Sequence, residues 1–169
     1  MTRFLAVGAI IALSVSAAPA SADPVTFRDP EGVFTVELPR APTVASDSTV
    51  VKTGDKVPLT EYVVDDGNTA LEIMIADYSK ANVEISLEGA VQGMVNGGRT
   101  LTSNKPITLD GHNGRFALLT DQDGNQLGDQ VFVVGRRLYQ AMSVLPKNPT
   151  DAQRAEVAHY NETFHFTQK

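Results

Sequence analysis

Cysteine and tryptophan are absent from this 169-residue chain, aromatic residues make up 7% of it, and there are three histidines. The lack of cysteine excludes disulfides, a thiolate nucleophile, a Cys-containing zinc site and a lipid-modified N-terminal cysteine. Basic side chains are also scarce, with 14 Lys and Arg against 20 Asp and Glu, a net charge of −6 at pH 7. A chain of this balance has no global attraction for nucleic acid or anionic membranes, so neither is an expected partner. Only one long apolar run is present, over residues 4–15.

That run predicts an export leader. Arg3 supplies a single positive charge, the uncharged run follows, and small residues broken by Pro19 end in Ala20-Ser21-Ala22 before Asp23. This is the pattern of a secretory signal peptide over residues 1–22. The run falls short of the roughly 20 apolar residues that span a bilayer, which favours a cleaved leader over an anchor. No twin arginine precedes it, so the general secretory route is expected. Removing 22 of the 169 residues leaves 147, residues 23–169, and taking away Arg3 moves the charge from −6 to −7. A single domain of this size buries roughly 68–70% of its surface and needs no covalent staples. The expected location is periplasmic or secreted, with no membrane insertion after cleavage.

Residues 105–145 carry the densest pattern: four strands joined by turns at 110–114, 123–125 and 135–137, where Gly, Asn and Asp accept the positive φ of tight hairpins. Their strands are apolar on both faces. Leu138, Met142 and Val144 alternate with Tyr139, Ala141 and Leu145, and Val131/Val133 with Phe132/Val134. A sheet with one wet face would alternate apolar and polar residues, so both sides of this meander are expected to be covered. Upstream, Phe34, Val36 and Leu38 mark a period-two strand whose polar Thr35 and Glu37 predict an edge or peripheral position. Residues 40–56 read as a long surface loop with one weak strand near 49–52. Residues 57–65 and 69–78 form a hairpin around Asp65-Asp66-Gly67-Asn68.

Two helices are expected. Ser86 caps one that runs to Asn96 with the stripe Leu87, Ala90, Val91, Met94 and Val95. Gly89 and Gly93 within it predict close packing on the sheet, and Gly97-Gly98 ends it. Residues 99–103 read as a separate short strand. Thr150 and Gln153 form a capping box opening the second helix, with Val157, Tyr160 and Phe164 on its buried stripe. The expected class is α+β, a twisted antiparallel sheet with helices covering its faces.

The order of these elements carries a resemblance. Phe34-x-Val36-x-Leu38-Pro39-x-x-Pro42 leads to Ala76-Asp77-Tyr78 and then a helix. Ile107-x-Leu109-Asp110-Gly111-x-x-Gly114-Arg115 follows, then Arg137-Leu138-Tyr139-Gln140 and finally Phe164-x-Phe166. Over nearly all of residues 23–169 the chain resembles the PsbP-like superfamily, which includes PsbP, Ran-binding Mog-type proteins and small exported bacterial members. The resemblance implies an α/β/α sandwich and a non-catalytic role in binding larger assemblies. Its motifs are packing and turn signatures, and they bring no site residue with them.

Candidate chemistry is sparse. Asp121, Asp123, Asn125 and Asp129 offer oxygens spaced like the start of a calcium loop, although Gln126 stands where such a loop needs glycine and Phe132 where it needs a bidentate carboxylate. A plain hairpin turn explains the same residues. His112, His159 and His165 include no i, i+4 pair. No Gly-x-Ser-x-Gly elbow is present, and the glycines at 97–98 follow a helix where a phosphate cradle needs them before one. Arg115, Arg136 and Arg137 lie near two turns, with Arg115 and Arg136 toward the same end of the sheet, and form a candidate surface for an acidic partner. Met74, Met94 and Met142 read as core fillers. The expectation is therefore an exported, non-catalytic interaction module that binds another envelope protein and carries no cofactor. The alternative is a small-ligand or Ca2+ binder using residues 121–129 or a helix–sheet pocket, and the least favoured is an enzyme whose site only the fold assembles.

Overall fold

The structure is a computed structural model that describes residues 23–67 and 69–167. The expected signal peptide, residues 1–22, and Asn68 of the first hairpin turn lie outside the described residues. In chain order the elements are β1 (Val25–Arg28), β2 (Phe34–Leu38), β3 (Thr43–Val50), β4 (Lys56–Asp65), β5 (Ala70–Asp77), α1 (Leu87–Asn96), β6 (Thr100–Leu109), β7 (His112–Thr120), β8 (Gln126–Val134), β9 (Arg137–Leu145), α2 (Asp151–Thr163) and β10 (His165–Phe166). A seven-stranded sheet runs β3-β4-β5-β9-β8-β7-β6, and a small one runs β1-β2-β10. Strand pairing is antiparallel throughout. The described residues are mostly strand with two helices, an α+β fold.

The two-faced apolar pattern of the meander corresponds to two separate cores. Tyr139, Ala141 and Phe132 point into a cluster with Phe34, Val36 and Leu38 of β2, Tyr62, Ile73, and Val157 and Tyr160 of α2. Their neighbours Leu138 and Val131 point the other way, into a cluster with Ala117, Leu119, Leu127, and Val91 and Met94 of α1. The first core is aromatic. Phe166 meets Phe132 at 5.2 Å and 82° and Tyr139 at 5.5 Å and 87°, edge-to-face arrangements that suit the ring quadrupole.

Both helices begin as their sequences predict. Ser86 accepts a hydrogen bond from the Gly89 amide, and Thr150 forms the full capping box with Gln153. Gly98, at φ +89°, supplies the left-handed residue after α1.

Several expectations fail, each for a physical reason. Residues 40–56 are not a loop with a weak strand, because β3 is an eight-residue strand with no buried position. A strand that buries neither face has no reason to alternate, so its period was invisible. Residues 100–103 are not a separate short strand but the start of β6, which reaches Leu109 as one strand with its register shifted between Leu101 and Ser103, and Arg99 lies just before it. The turn placed at 110–114 is tighter: Asp110 at φ 50° and Gly111 at φ 86° make a two-residue hairpin of the primed type. Gly114 lies inside β7, where a Cβ would come within 2.4 Å of the Phe132 ring. Gly93 does not serve close packing, since a Cβ there would meet nothing within 4 Å. Finally, β2 is peripheral to the large sheet but central in the small one, and all three of its apolar side chains are buried.

Candidate functional site

The three candidate arginines do not assemble one free basic surface. Register places Arg115 opposite Val131 and Arg136 just beyond Val134, so the two lie toward the same end of the sheet. Their guanidinium groups, however, serve different elements. Arg115 donates to Asn104 Oδ1 at 2.8 Å and pairs with Glu88 of α1 at 3.2 Å. Arg136 donates to the carbonyls of Tyr78, Ala81 and Val83, pinning the segment that leads into α1. Arg137 pairs with Glu31 and with Asp77, linking the turn after β1 to the end of β5. A guanidinium fork that collects several carbonyls is well suited to holding a loop.

The calcium-loop candidates are likewise split: Asp121, Asp123 and Asn125 share one turn and bond to one another, while Asp129 lies apart inside β8. Asp121 Oδ1 accepts from the Asp123 and Asn125 amides, and its Oδ2 accepts from the Asn125 side chain, so the carboxylate organises its own turn. Those hydrogen bonds, the Asn125 side chain foremost, hold its carboxyl below the usual value. Asp129 is 0% exposed within β8, where it stands opposite Met142. Among the described residues no group of three or more His, Cys, Asp or Glu could hold a metal ion. The histidines serve other contacts. His112 meets the Phe166 ring, His159 pairs with Glu37, and His165 pairs with Asp110.

Chemistry concentrates instead on the face of the large sheet that α1 covers. One ten-residue helix packs against β7 and β8 there, and it leaves concavities on both flanks. A cavity of about 490 Å³ lies toward residues 83–86 and Tyr78, and one of about 440 Å³ toward β5 and β9. Glu72, Met74, Met94, Arg99, Gln140 and Met142 line the second. Beside Gln140 sits Asp129, whose Oδ2 accepts from Gln140 Nε2 at 2.6 Å and whose Oδ1 has no hydrogen-bond partner among the described residues. Burial pushes the Asp129 carboxyl up to about 7; the Gln140 hydrogen bond opposes that rise and Glu72 adds to it. Burial also raises Glu72, with Glu61 adding and Arg99 opposing. An unpaired carboxylate in low dielectric is costly, so near neutral pH this group holds its proton or needs a positive neighbour.

The sequence contains a partial signal for this site. Asp129, Gln130 and Gln140 interrupt strands that are otherwise apolar, and a polar residue inside such a run marks either a hydrogen-bonded pair or a site. Asp129 and Gln140 meet through the β8–β9 register, which the sequence does not display, whereas Gln130 points to the other face and donates to Asn161 of α2.

No family model matches the chain, and no curated protein does so either. Among solved structures, the solution structure of cyanobacterial PsbP (CyanoP) from Synechocystis sp. PCC 6803 is similar, with a TM-score of 0.53 and 12% identity over 91% of this chain and 98% of that one. A Pseudomonas aeruginosa protein of unknown function, PA94, described as a putative regulator, aligns with a TM-score of 0.39 and 12% identity over 82% of this chain and 89% of that one. The first likeness, spanning nearly the whole of both chains, shows that this chain has a PsbP-like fold.

Proposed function

We propose that this protein is a non-catalytic binding module of the bacterial envelope, exported after loss of residues 1–22, that takes an extended segment of another envelope protein along the free edge of β3. In this reading α1, the large sheet, and α2 with the small sheet are the three layers of an α/β/α sandwich. The periplasm or the exterior is its place of action.

The difference between the two edges of the large sheet carries the proposal. Unpaired strand edges are templates for further pairing, and proteins blunt them with lysine, proline and bulges. The β6 edge has all three: Lys105, Pro106 and the register shift between Leu101 and Ser103. The β3 edge has none of them. It is eight residues long, regular in register, and exposes Val44 (62%) and Val50 (66%). Among the described residues it pairs only with β4. A second copy is a poor occupant, since antiparallel self-pairing brings two Asp47 carboxylates near each other in an already acidic protein. An uncharged or basic strand from a different protein fits the edge without that repulsion.

The test compares edges. Val44→Lys with Val50→Lys alters the β3 edge, and Leu101→Lys alters the guarded one. Partners captured from an envelope extract should be lost with the β3 variant and kept with the β6 variant. Amides of β3, and not those of β6, should then gain exchange protection when the purified partner is added. Equal capture by both variants, or protection confined to β6, would overturn the proposal.

A further inference from the structure

Four methionines occur in the chain, and the three beyond Met1 all line the cavity between α1, β5 and β9. They come from three different elements. Across the β5–β9 pair, Met74 stands opposite Gln140 and Met142 opposite Glu72, so the two methionines are diagonal neighbours on one face, within reach of long side chains. Met94 approaches from α1, its sulfur 3.8 Å from Gln140 Nε2. Core filling accounts for Met94, which packs with Val91 and Leu127. It does not account for Met74 and Met142, which belong to neither core cluster and stand only partly buried on a concave wall among Glu72, Arg99 and Gln140.

The charge on this wall has a surplus. Glu72 lines it, Glu61 is the register partner of Met74, and the buried Asp129 lies directly behind Gln140 with one oxygen unpartnered. Among the described residues Arg99 is the one cation in the cavity lining. Glu72 offsets Arg99 in the lining, and the two carboxyls just outside it, Glu61 and Asp129, favour a positively charged occupant. The carboxyls do not converge into the oxygen cage that a hard cation requires. Thioether sulfur, by contrast, selects soft ions.

We propose that this cavity is a site for a soft monovalent cation, Cu(I) or Ag(I), ligated by the thioether sulfurs of Met74, Met94 and Met142, with Glu72 and Asp129 supplying compensating charge. Methionine suits the role because its three rotatable bonds let sulfurs from separate elements close on an ion without moving the backbone. The site is independent of the β3 edge, which belongs to the other side of β4, away from α1.

Anaerobic competition with the Cu(I) chelator bathocuproine disulfonate tests it on the intact protein. The protein should withdraw one equivalent of Cu(I), and Ag(I) should raise its thermal midpoint while Ca2+ leaves the midpoint unchanged. Met74→Leu with Met142→Leu conserves volume and should preserve the fold while abolishing both the withdrawal and the Ag(I) shift. Copper-edge X-ray absorption should show sulfur neighbours, a readout that does not depend on how the variants fold. A chelator complex left intact, undiminished binding by the double leucine variant, or a copper shell of nitrogen and oxygen alone would each overturn the proposal.

Discussion

The two faces of the large sheet are built on opposite plans. On the α2 face, Phe34 alone touches the rings of Phe27, Tyr62, Tyr139 and Phe164 at centroid distances between 5.4 and 6.3 Å, and β1, β2, β10 and α2 together close the layer. Across the same strands, α1 stands between two cavities over a wall that includes Asp129, Glu72 and Gln140. One side is held by aromatic packing, while the other gives up packing density and keeps buried polar groups. A domain that needs a single dense core for stability can place adaptable chemistry on its second face.

Truncation tests this division most directly. Phe34→Ala empties a fully buried site among interlocked rings and should cost about 3–5 kcal/mol. Met94→Ala on the other face should cost about 2 kcal/mol, the low end for its type, because neighbouring cavities leave the helix room to settle. Urea midpoints at unchanged slope measure both. Equal losses would dissolve the contrast.

The dense face was also the more legible one. Alternation in Val131-Phe132-Val133-Val134 reported two buried sides because each side exerts an apolar demand at every second residue. The caps at Ser86 and Thr150 were legible because they are local backbone chemistry. β3 was not, since an exposed edge strand places no apolar demand on its residues. Arg136 reads in sequence as a surface charge because its three carbonyl partners lie more than 50 residues away in the chain. The methionine wall was hidden for the same reason: Met74 and Met142 become neighbours only when β5 pairs with β9. Asp129 was legible as an oxygen ligand but assigned to the wrong setting, since spacing along a hairpin does not say which way a strand side chain points.

Acid titration sharpens the comparison from the polar side. The Asp129 carboxyl lies near 3.8 when exposed and about 7 when folded. Between those values the folded chain binds a proton that the unfolded chain has released, so stability falls as pH rises across that window and stays lowered above it. A rise of this size corresponds to a penalty on the order of 4 kcal/mol at pH 8, with burial its largest cause. Glu72, raised by the same cause, tilts the profile in the same direction. The lowered carboxyls of Asp77 and Asp121 act oppositely, losing their contribution only as pH falls below the ordinary carboxylate range. Asp129→Asn should therefore flatten the slope of stability between pH 4 and 7 and make the variant the more stable protein at pH 8. Parallel profiles for variant and parent, from urea titrations at each pH, would show that the buried carboxyl is not what weakens this face.

The smallest effects separate the two helices themselves. Thr150 accepts from the Gln153 amide and Gln153 returns a bond to the Thr150 amide, closing the first turn of a helix bound to the aromatic core. Thr150→Ala should lower global stability by about 1 kcal/mol. Ser86 makes one equivalent bond, to the Gly89 amide at 3.1 Å, on a helix that carries Gly89 and Gly93 in its interior. Those glycines weaken helix propensity by about 1 kcal/mol each, and the cavities beside them supply little packing in return. α1 should then open on its own before the rest of the domain does, because its opening uncovers the smaller aliphatic cluster around Val91 and Met94 and leaves the aromatic core intact. Ser86→Ala should speed amide exchange in α1 at least severalfold while the global midpoint stays within the error of the parent. If exchange accelerated equally in α1 and β9, the two faces would form one cooperative unit, and the second face would be no freer to move than the first.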